Sequence, residues 1–417
     1  MEKKISARSN RNGKATNRNT GSLIDTAGRH FEAAHYQGIM SIYAHPSEGR
    51  AVRPNFEDRV VVDFVRCSYL GLDNHPDIVE GAAEAVRSSG TLHWSCARTR
   101  LNFASLGELE ESLSDLFAAR VITYTTVLAA NMSALPLVAS GHLTGGLKPV
   151  MVFDRLAHAT LAHHKGTIAQ ETRVETIAHN DLDALERLCR QNKAVAYICD
   201  GVYSMGGSAP ISALRRLQEQ YGLFLYIDDA HGISLFGRRG EGFAKSLIGE
   251  LGDRTIIAAS LGKGFGASGG MLMLATAHQE VLFRRFAVAH AFSASLNTAA
   301  IGAGLASAQL HRTEELPHLQ RTLQQKIALL DGLMPTEQHG ARLPIRTVHF
   351  GDELLAIGAA TSLFRQGFYT SAIFFPTVSR GNAGLRICVT AGHADEEIRS
   401  LCAAVVAIQD EIQANSE

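Results

Sequence analysis

Four short apolar runs, at 150–153, 194–199, 223–227 and 255–259, each end in residues that can do chemistry. The first leads into Asp154-Arg155-Leu156-Ala157-His158 and the second into Asp200-Gly201-Val202-Tyr203-Ser204. The third leads into Asp228-Asp229-Ala230-His231-Gly232 and the fourth into Ser260-Leu261-Gly262-Lys263-Gly264-Phe265-Gly266. If the runs are parallel strands, their carboxyl ends share one edge of a sheet, the edge where open α/β sheets bind ligands. Lys263 is the most telling member. Apart from Glu280 it is the only charge between Arg254 and Arg284, and glycines flank it. A lysine in an apolar, glycine-walled pocket has a lowered pKa and forms Schiff bases with carbonyl compounds. For Gly-Lys-Gly alone, a solvated loop lysine is the plain alternative.

Other phosphate motifs do not fit. The Walker pattern fails because Gly264, not Ser or Thr, follows the lysine, and the glycines come too late for a dinucleotide fingerprint. His158, His163 and His164 lack carboxylate or cysteine partners at ligand spacing, so no metal is expected. Taken singly, Asp228 reads as a cap or turn residue, and His158 and His231 as interior histidines. Together, Asp, His and Lys at successive strand ends are the set that a pyridoxal phosphate (PLP) enzyme needs.

The elements that must position these groups are legible in outline. Helical patterns separate the strands: 181–191, which opens after a possible Asn180 cap, and the Leu/Arg-rich 212–220. That alternation predicts an α/β fold with a mostly parallel sheet covered by helices. After about residue 299 the pattern changes. A long helical stretch to 333 leads to apolar runs at 346–350, 368–374 and 384–389 and a final helix from about 395, a smaller α+β unit. The expected organisation is a disordered basic tail at 1–23, an N-terminal segment at 24–60, a large domain at 61–300 and a small C-terminal domain at 301–417.

The chain has 417 residues with 40 Lys+Arg against 41 Asp+Glu, so nothing in its charge speaks for nucleic acid or an anionic membrane. The uncharged stretch 121–147 is too often broken by Thr, Asn, Ser, Pro and Gly to span a bilayer and reads as buried structure. Six cysteines without paired spacing suit a reduced, cytoplasmic setting.

The motifs Asp-Arg-Leu-x-His-Ala (154–159), Asp-Gly-Val-Tyr-Ser-Met-x-Gly (200–207), Ile-Asp-Asp-Ala-His-Gly (227–232) and Ser-Leu-Gly-Lys-Gly-Phe-Gly-x-Ser-Gly-Gly (260–270) resemble the α-oxoamine synthases. The likeness runs from Tyr69-Leu70-Gly71-Leu72 to Leu385-Arg386, Thr390 and His393, about four-fifths of the chain. It implies a fold-type I PLP transferase with a seven-stranded-type sheet. It also implies a decarboxylating condensation of an amino acid with an acyl-CoA or acyl-carrier-protein thioester, giving an α-aminoketone. By the resemblance, Lys263 carries PLP, Asp228 pairs with the ring nitrogen, and His158 stacks on the ring. His231 and Ser204 bond the ring hydroxyl. Ser260, Val127 and Leu128 serve the phosphate, while Ser293 and Ser295 reach a neighbouring subunit's phosphate, implying a homodimer with shared sites. Arg386 grips the amino-acid carboxylate.

Several positions depart from the family pattern. Val127 stands where a glycine is common, Leu106 where a histidine is, and Cys67-Ser68 in an otherwise Asn-rich entry to Tyr69. Trp94, the only tryptophan, lies in 93–100 where the family has a glycine-rich stretch, and Phe374 stands where some members have arginine. Trp94 and Phe374 are therefore candidate substrate contacts; Phe374 and the apolar substitutions hint at an apolar acyl chain, and Trp94, Phe374 and Leu106 point to a member outside housekeeping pathways, with core packing the equal alternative for Phe374. An aminotransferase of the same fold and a catalytically idle scaffold are the rival readings.

Overall fold

The computed structural model describes residues 20–414. Three short strands, β1 (Ala44–Pro46), β2 (Ala51–Pro54) and β3 (Val61–Asp63), pair antiparallel beside an N-terminal helix, Thr20–Tyr36. Residues 20–23, expected in the tail, are the first turn of that helix; the rest of the expected tail lies outside the described residues.

The central sheet has seven strands: β4 (Arg120–Tyr124), β5 (Val150–Asp154), β6 (Val174–Ile177), β7 (Val195–Asp200), β8 (Phe224–Asp228), β9 (Thr255–Ser260) and β10 (Gly270–Leu274). Their order is β4-β10-β9-β8-β7-β5-β6. All run the same way except β10, which is antiparallel to both neighbours. The near-continuous apolar strands follow from burial on both faces. Val152, Tyr197, Leu225 and Ile257 enter one core, while Met151, Phe153, Ile198, Tyr226 and Ile256 enter the other. This is the period-two alternation of a strand. The uncharged run 121–147 contains β4 and the helix Val127–Ala139, which is packed under the sheet. No helix among the described residues is long and apolar enough to cross a membrane.

Beyond the sheet come β11 (Ile345–Gly351), β12 (Phe368–Tyr369), β13 (Ser371–Ile373) and β14 (Ala383–Cys388). A three-stranded antiparallel sheet, β11-β14-β13, packs on the helices Glu353–Arg365 and Asp395–Ala414. This core also takes in Ala34, Ile39, Val61 and Phe64 from the N-terminal segment.

Three local expectations change. The run 368–374 is two strands in different sheets, with β12 parallel to β3 and β13 beside β14. The helical stretch to 333 is two helices, Thr298–Leu310 and Glu315–Leu333. The helix Leu182–Gln191 is capped by Asp181, which accepts from Ala184 N at 2.9 Å, while Asn180 sits at φ 54°. The left-handed conformation, which asparagine tolerates, turns the chain one residue before the cap.

Candidate active site

The reversed direction of β10 brings its amino end to the same edge as the carboxyl ends of β4, β5, β7, β8 and β9. These ends enclose a cavity of about 240 Å³. Lys263, Asp228, His158, His231, Ser260 and Val127, all expected at the site, line it. Thr126, Thr160, Asp200, Ser268 and Gly269 complete much of the wall. A larger hollow of about 420 Å³ lies between the N-terminal helix and residues 375–381 and contains none of the strand-end groups.

Lys263 reaches back across the cavity, its Nζ 2.9 Å from His231 Nε2. His231 Nδ1 is in turn 2.6 Å from the Tyr69 hydroxyl. Burial, with the neighbouring Lys263 and Arg386 charges, holds His231 far below the usual histidine range, so the imidazole is neutral. A lysine ammonium then donates to Nε2, and Nδ1–H donates to Tyr69. Burial also lowers the Lys263 pKa, against the pull of Asp228. That makes its amine available nearer neutral pH than an exposed lysine's.

Asp228, 4% exposed, is fixed at the end of β8. Its Oδ1 accepts from Ala230 N at 3.1 Å and its Oδ2 from Asn131 Nδ2 at 3.0 Å. Asn131 is held in turn by Tyr226, whose hydroxyl donates to Oδ1 at 2.7 Å, and by Thr160 at 3.1 Å. His158 Nδ1 lies 2.8 Å from Thr160 Oγ1, and its backbone N–H donates to Asp200. Burial lowers the His158 pKa. Burial and the Asp228 charge push Asp200 well up.

The amino end of helix Val127–Ala139 faces the same cavity. Thr126 caps it, accepting from Ala129 N at 3.1 Å. The N–H groups of Val127 and Leu128 make no hydrogen bond among the described residues, which leaves donors and a positive dipole end for an anion. A Cβ on Gly270 would stand 2.5 Å from Thr126 C and Val127 N, so only glycine lets strand and helix start approach this closely. The Leu128 side chain is exposed and does not line the cavity.

Arg386, on β14, donates from Nε to the Ser204 carbonyl at 2.7 Å, and its Nη2 is 3.5 Å from Cys67 Sγ. Nη1 makes no hydrogen bond to a described residue. Ser204 thus meets Arg386 through its backbone, and its side chain is not in the cavity wall.

Four candidates stand elsewhere. Phe374 is buried in the C-terminal core, with ring centroids 5.1 Å from Phe31 and 6.1 Å from His30. It is packing, not cavity wall. Trp94 is 55% exposed and packs against Phe103 with tilted rings, centroids 4.3 Å apart. Ser293 and Ser295 lie outside this cavity, and Ser295 Oγ donates to the Leu296 carbonyl. Leu106 is 1% exposed and belongs to the main core. Among the described residues no cluster of His, Cys, Asp or Glu could hold a metal. Reasoning from the sequence missed Tyr69, Asn131, Thr160 and Asp200 as members of the site. Asp200 carried a signal, since it ends β7 as Asp228 ends β8.

Comparison with known proteins agrees with this geometry. The family model "Aminotransferase class I and II" matches residues 69–405. The 8-amino-7-oxononanoate synthase of Geobacter sulfurreducens is 31% identical over 384 residues, covering 90% of this chain and 96% of the relative. The serine palmitoyltransferase of Sphingomonas wittichii superposes with a TM-score of 0.82 at 19% identity, covering 94% of this chain and 98% of that one. The 8-amino-7-oxononanoate synthase of Francisella tularensis does so at 0.67 and 18%, covering 86% and 99%. The chain therefore belongs to the class I and II aminotransferase family and, within it, to the α-oxoamine synthases, which are PLP-dependent acyltransferases.

Proposed function

We propose that this chain joins an amino acid to an acyl thioester, carried by CoA or by an acyl carrier protein, and releases carbon dioxide, the thiol and an α-aminoketone. The observation that carries this reading is the meeting of Lys263 and Asp228 in one strand-end cavity beside Arg386, whose Nη1 has no hydrogen-bond partner among the described residues.

The residues fit PLP at both ends. A lysine amine and a fixed carboxylate face the cavity, and a helix start with unpaired N–H groups lies where Gly269 and Gly270 leave room. Bound there, PLP supplies the electron sink that stabilises negative charge at the amino acid's α-carbon. Asp228, braced by Asn131 and Ala230, is the fixed acceptor for the ring N–H. His158 covers one ring face. His231 serves the ring hydroxyl, while Ser260 and the N–H groups of Val127 and Leu128 hold the phosphate. Arg386 takes the substrate carboxylate, a task suited to its fork of donors. Lys263 would take the α-proton at Nζ, and its lowered pKa suits it to that role.

A second copy of the chain completes the site in this proposal. Ser293 and Ser295 would reach its phosphate, and Phe286, Val288 and Phe292, respectively 63%, 43% and 82% exposed beside them, are apolar surface for it to cover. The six cysteines are all free thiols, which supports a reducing, cytoplasmic setting.

The test is a titration of the purified holoenzyme with a panel of amino acids, then with acyl-CoAs. One amino acid shifts the visible band of the bound cofactor, and thiol and carbon dioxide appear in equal amounts only when both substrates are present. Conversion of the cofactor to its amine form by the amino acid alone, with no thiol released, would mean transamination and overturn the proposal.

A further inference from the structure

We propose that Asp200 is a positioning residue of this site: from the end of β7 it takes the backbone N–H of His158 and so fixes the ring that covers the cofactor. The inference rests on His158 covering one ring face, as proposed above. The turn that carries His158 hangs from two carboxyls. At its start Asp154, the last residue of β5, accepts from Leu156 N at 2.7 Å. At its end the His158 N–H donates to Asp200 Oδ1 at 3.1 Å, reaching across to the neighbouring strand. His158 caps the short helix Ala159–Ala162, so its N–H has no partner within that helix. Asp200 is its one hydrogen-bond acceptor among the described residues.

Thr160 sets the ring from the other side. Its N–H, at 3.3 Å, and its hydroxyl, at 2.8 Å, both meet His158 Nδ1. Thr160 Oγ1 accepts in turn from Asn131 Nδ2, which also donates to Asp228. The hydroxyl proton is therefore free for Nδ1, and the ring carries its own proton on Nε2. Asp200 and Asp228 are register partners on β7 and β8, so their side chains leave the sheet on one face. The chain Asp200–His158–Thr160–Asn131–Asp228 thus starts and ends on two adjacent strand ends, and all its members but Asn131 line the cavity. Cut at Asp200, this hoop still ties the His158 ring to Thr160 but leaves its backbone loose.

What His158 requires of residue 200 is an acceptor oxygen, not a charge. Asp200 is 2% exposed, and only its Oδ1 makes a hydrogen bond to a described residue. A second charge beside Asp228 is disfavoured in so enclosed a place, and the burial and Asp228 charge that push Asp200 upward act in the same sense. An asparagine amide offers the same acceptor at the same reach. An alanine offers none.

The test compares Asp200→Ala, Asp200→Asn and His158→Ala by equilibrium dialysis of PLP and by visible circular dichroism per bound PLP, which reports how the bound ring is held. Asp200→Ala weakens PLP binding by about tenfold, the worth of one buried hydrogen bond, and lowers the dichroism. Asp200→Asn keeps both at wild-type values. Asp200→Ala made in the His158→Ala background adds nothing further, because the residue acts through that ring. Asp200→Ser, too short to reach the His158 N–H, replaces the alanine variant if the latter does not fold. An alanine variant like wild type, an asparagine variant like alanine, or additive effects in the double variant overturns the inference. His158→Ala with unchanged affinity and dichroism overturns the covering role of His158 itself, and the inference with it. Loss in His158→Ala beside a wild-type-like Asp200→Ala leaves that role standing and overturns the positioning by Asp200 alone.

Discussion

Asn131 is the side chain on which the floor of the cavity hangs, and removing it should be costly. It is completely buried, donates to Asp228 and Thr160, and accepts from Tyr226, itself fully buried. Asn131→Ala leaves the Asp228 carboxylate short of a donor and the Tyr226 hydroxyl without an acceptor. A buried polar group left unmade costs about 1–3 kcal/mol, and more when charged, so the variant should lose about 3–5 kcal/mol. Tyr226→Phe removes only the hydroxyl bond and should cost about 1–2 kcal/mol. Because both changes delete the same bond, the double variant should fall short of additivity by about 1 kcal/mol. Guanidinium unfolding of the apoprotein reads this as a lower midpoint at unchanged slope. An Asn131→Ala midpoint equal to wild type, or strictly additive single effects, would refute the reasoning. Weaker cofactor binding should accompany the stability loss, since Asp228 is then free to turn.

Lys263→Ala should abolish the cofactor's visible protein-bound band and slow turnover by about 10²–10⁴-fold, the usual worth of a positioned acid–base group. Absorption spectra and single-turnover assays check this, and a variant keeping both properties would exclude Lys263. Asp229 is enclosed by Gly201, Gly232 and Gly242, where any Cβ would come within 2.5 Å of its carboxyl, and burial pushes its pKa up to about 8. Its folded pKa lies above the unfolded value, so its contribution is full below about pH 4 and is lost as pH rises through about 8. The slope is at most about 1.4 kcal/mol per pH unit. Asp229→Asn should therefore flatten the decline in stability over that window, and parallel curves for variant and wild type would refute the assignment. Gly270→Ala should weaken cofactor binding by pushing back the helix start at Val127, at an overpacking cost of about 1–3 kcal/mol. Equilibrium dialysis of PLP checks it, and unchanged affinity would show that the helix start does not hold the phosphate.

The parts of the site legible in the sequence are those that sit next to a strand in the chain. His158, Asp228, His231, Ser260 and Lys263 follow apolar runs within a few residues, so recognising the strands places them on one edge. The strands that were less visible had weaker punctuation. β4 is hidden in the uncharged run, and β10 starts directly from two glycines. Asn131 and Tyr69 join the site only through tertiary packing, 97 residues from Asp228 and 162 from His231. No periodicity reports such pairings. Phe374 takes the core-packing alternative that its sequence left open, since an aromatic beside a family's substrate position looks the same in sequence whether it faces the cavity or the core. Its neighbours His30 and Phe31 belong to the helix Thr20–Tyr36, far from residue 374 in the chain.

The sharing of one core between the N-terminal segment and the last strands has a consequence for biogenesis. His393 Nε2 meets the Asp63 carbonyl across 330 residues of chain, and Cys388 N meets the Phe64 carbonyl. During synthesis, residues 34–64 leave the ribosome long before any of these partners exist. At about 5–20 residues per second the wait is tens of seconds. Throughout that interval Ile39, Val61 and Phe64 are apolar side chains without a place to go, while the central sheet can already close. Residues 34–64 are thus made early and dock late, and until they dock a nascent chain exposes them to chaperones and to mispairing.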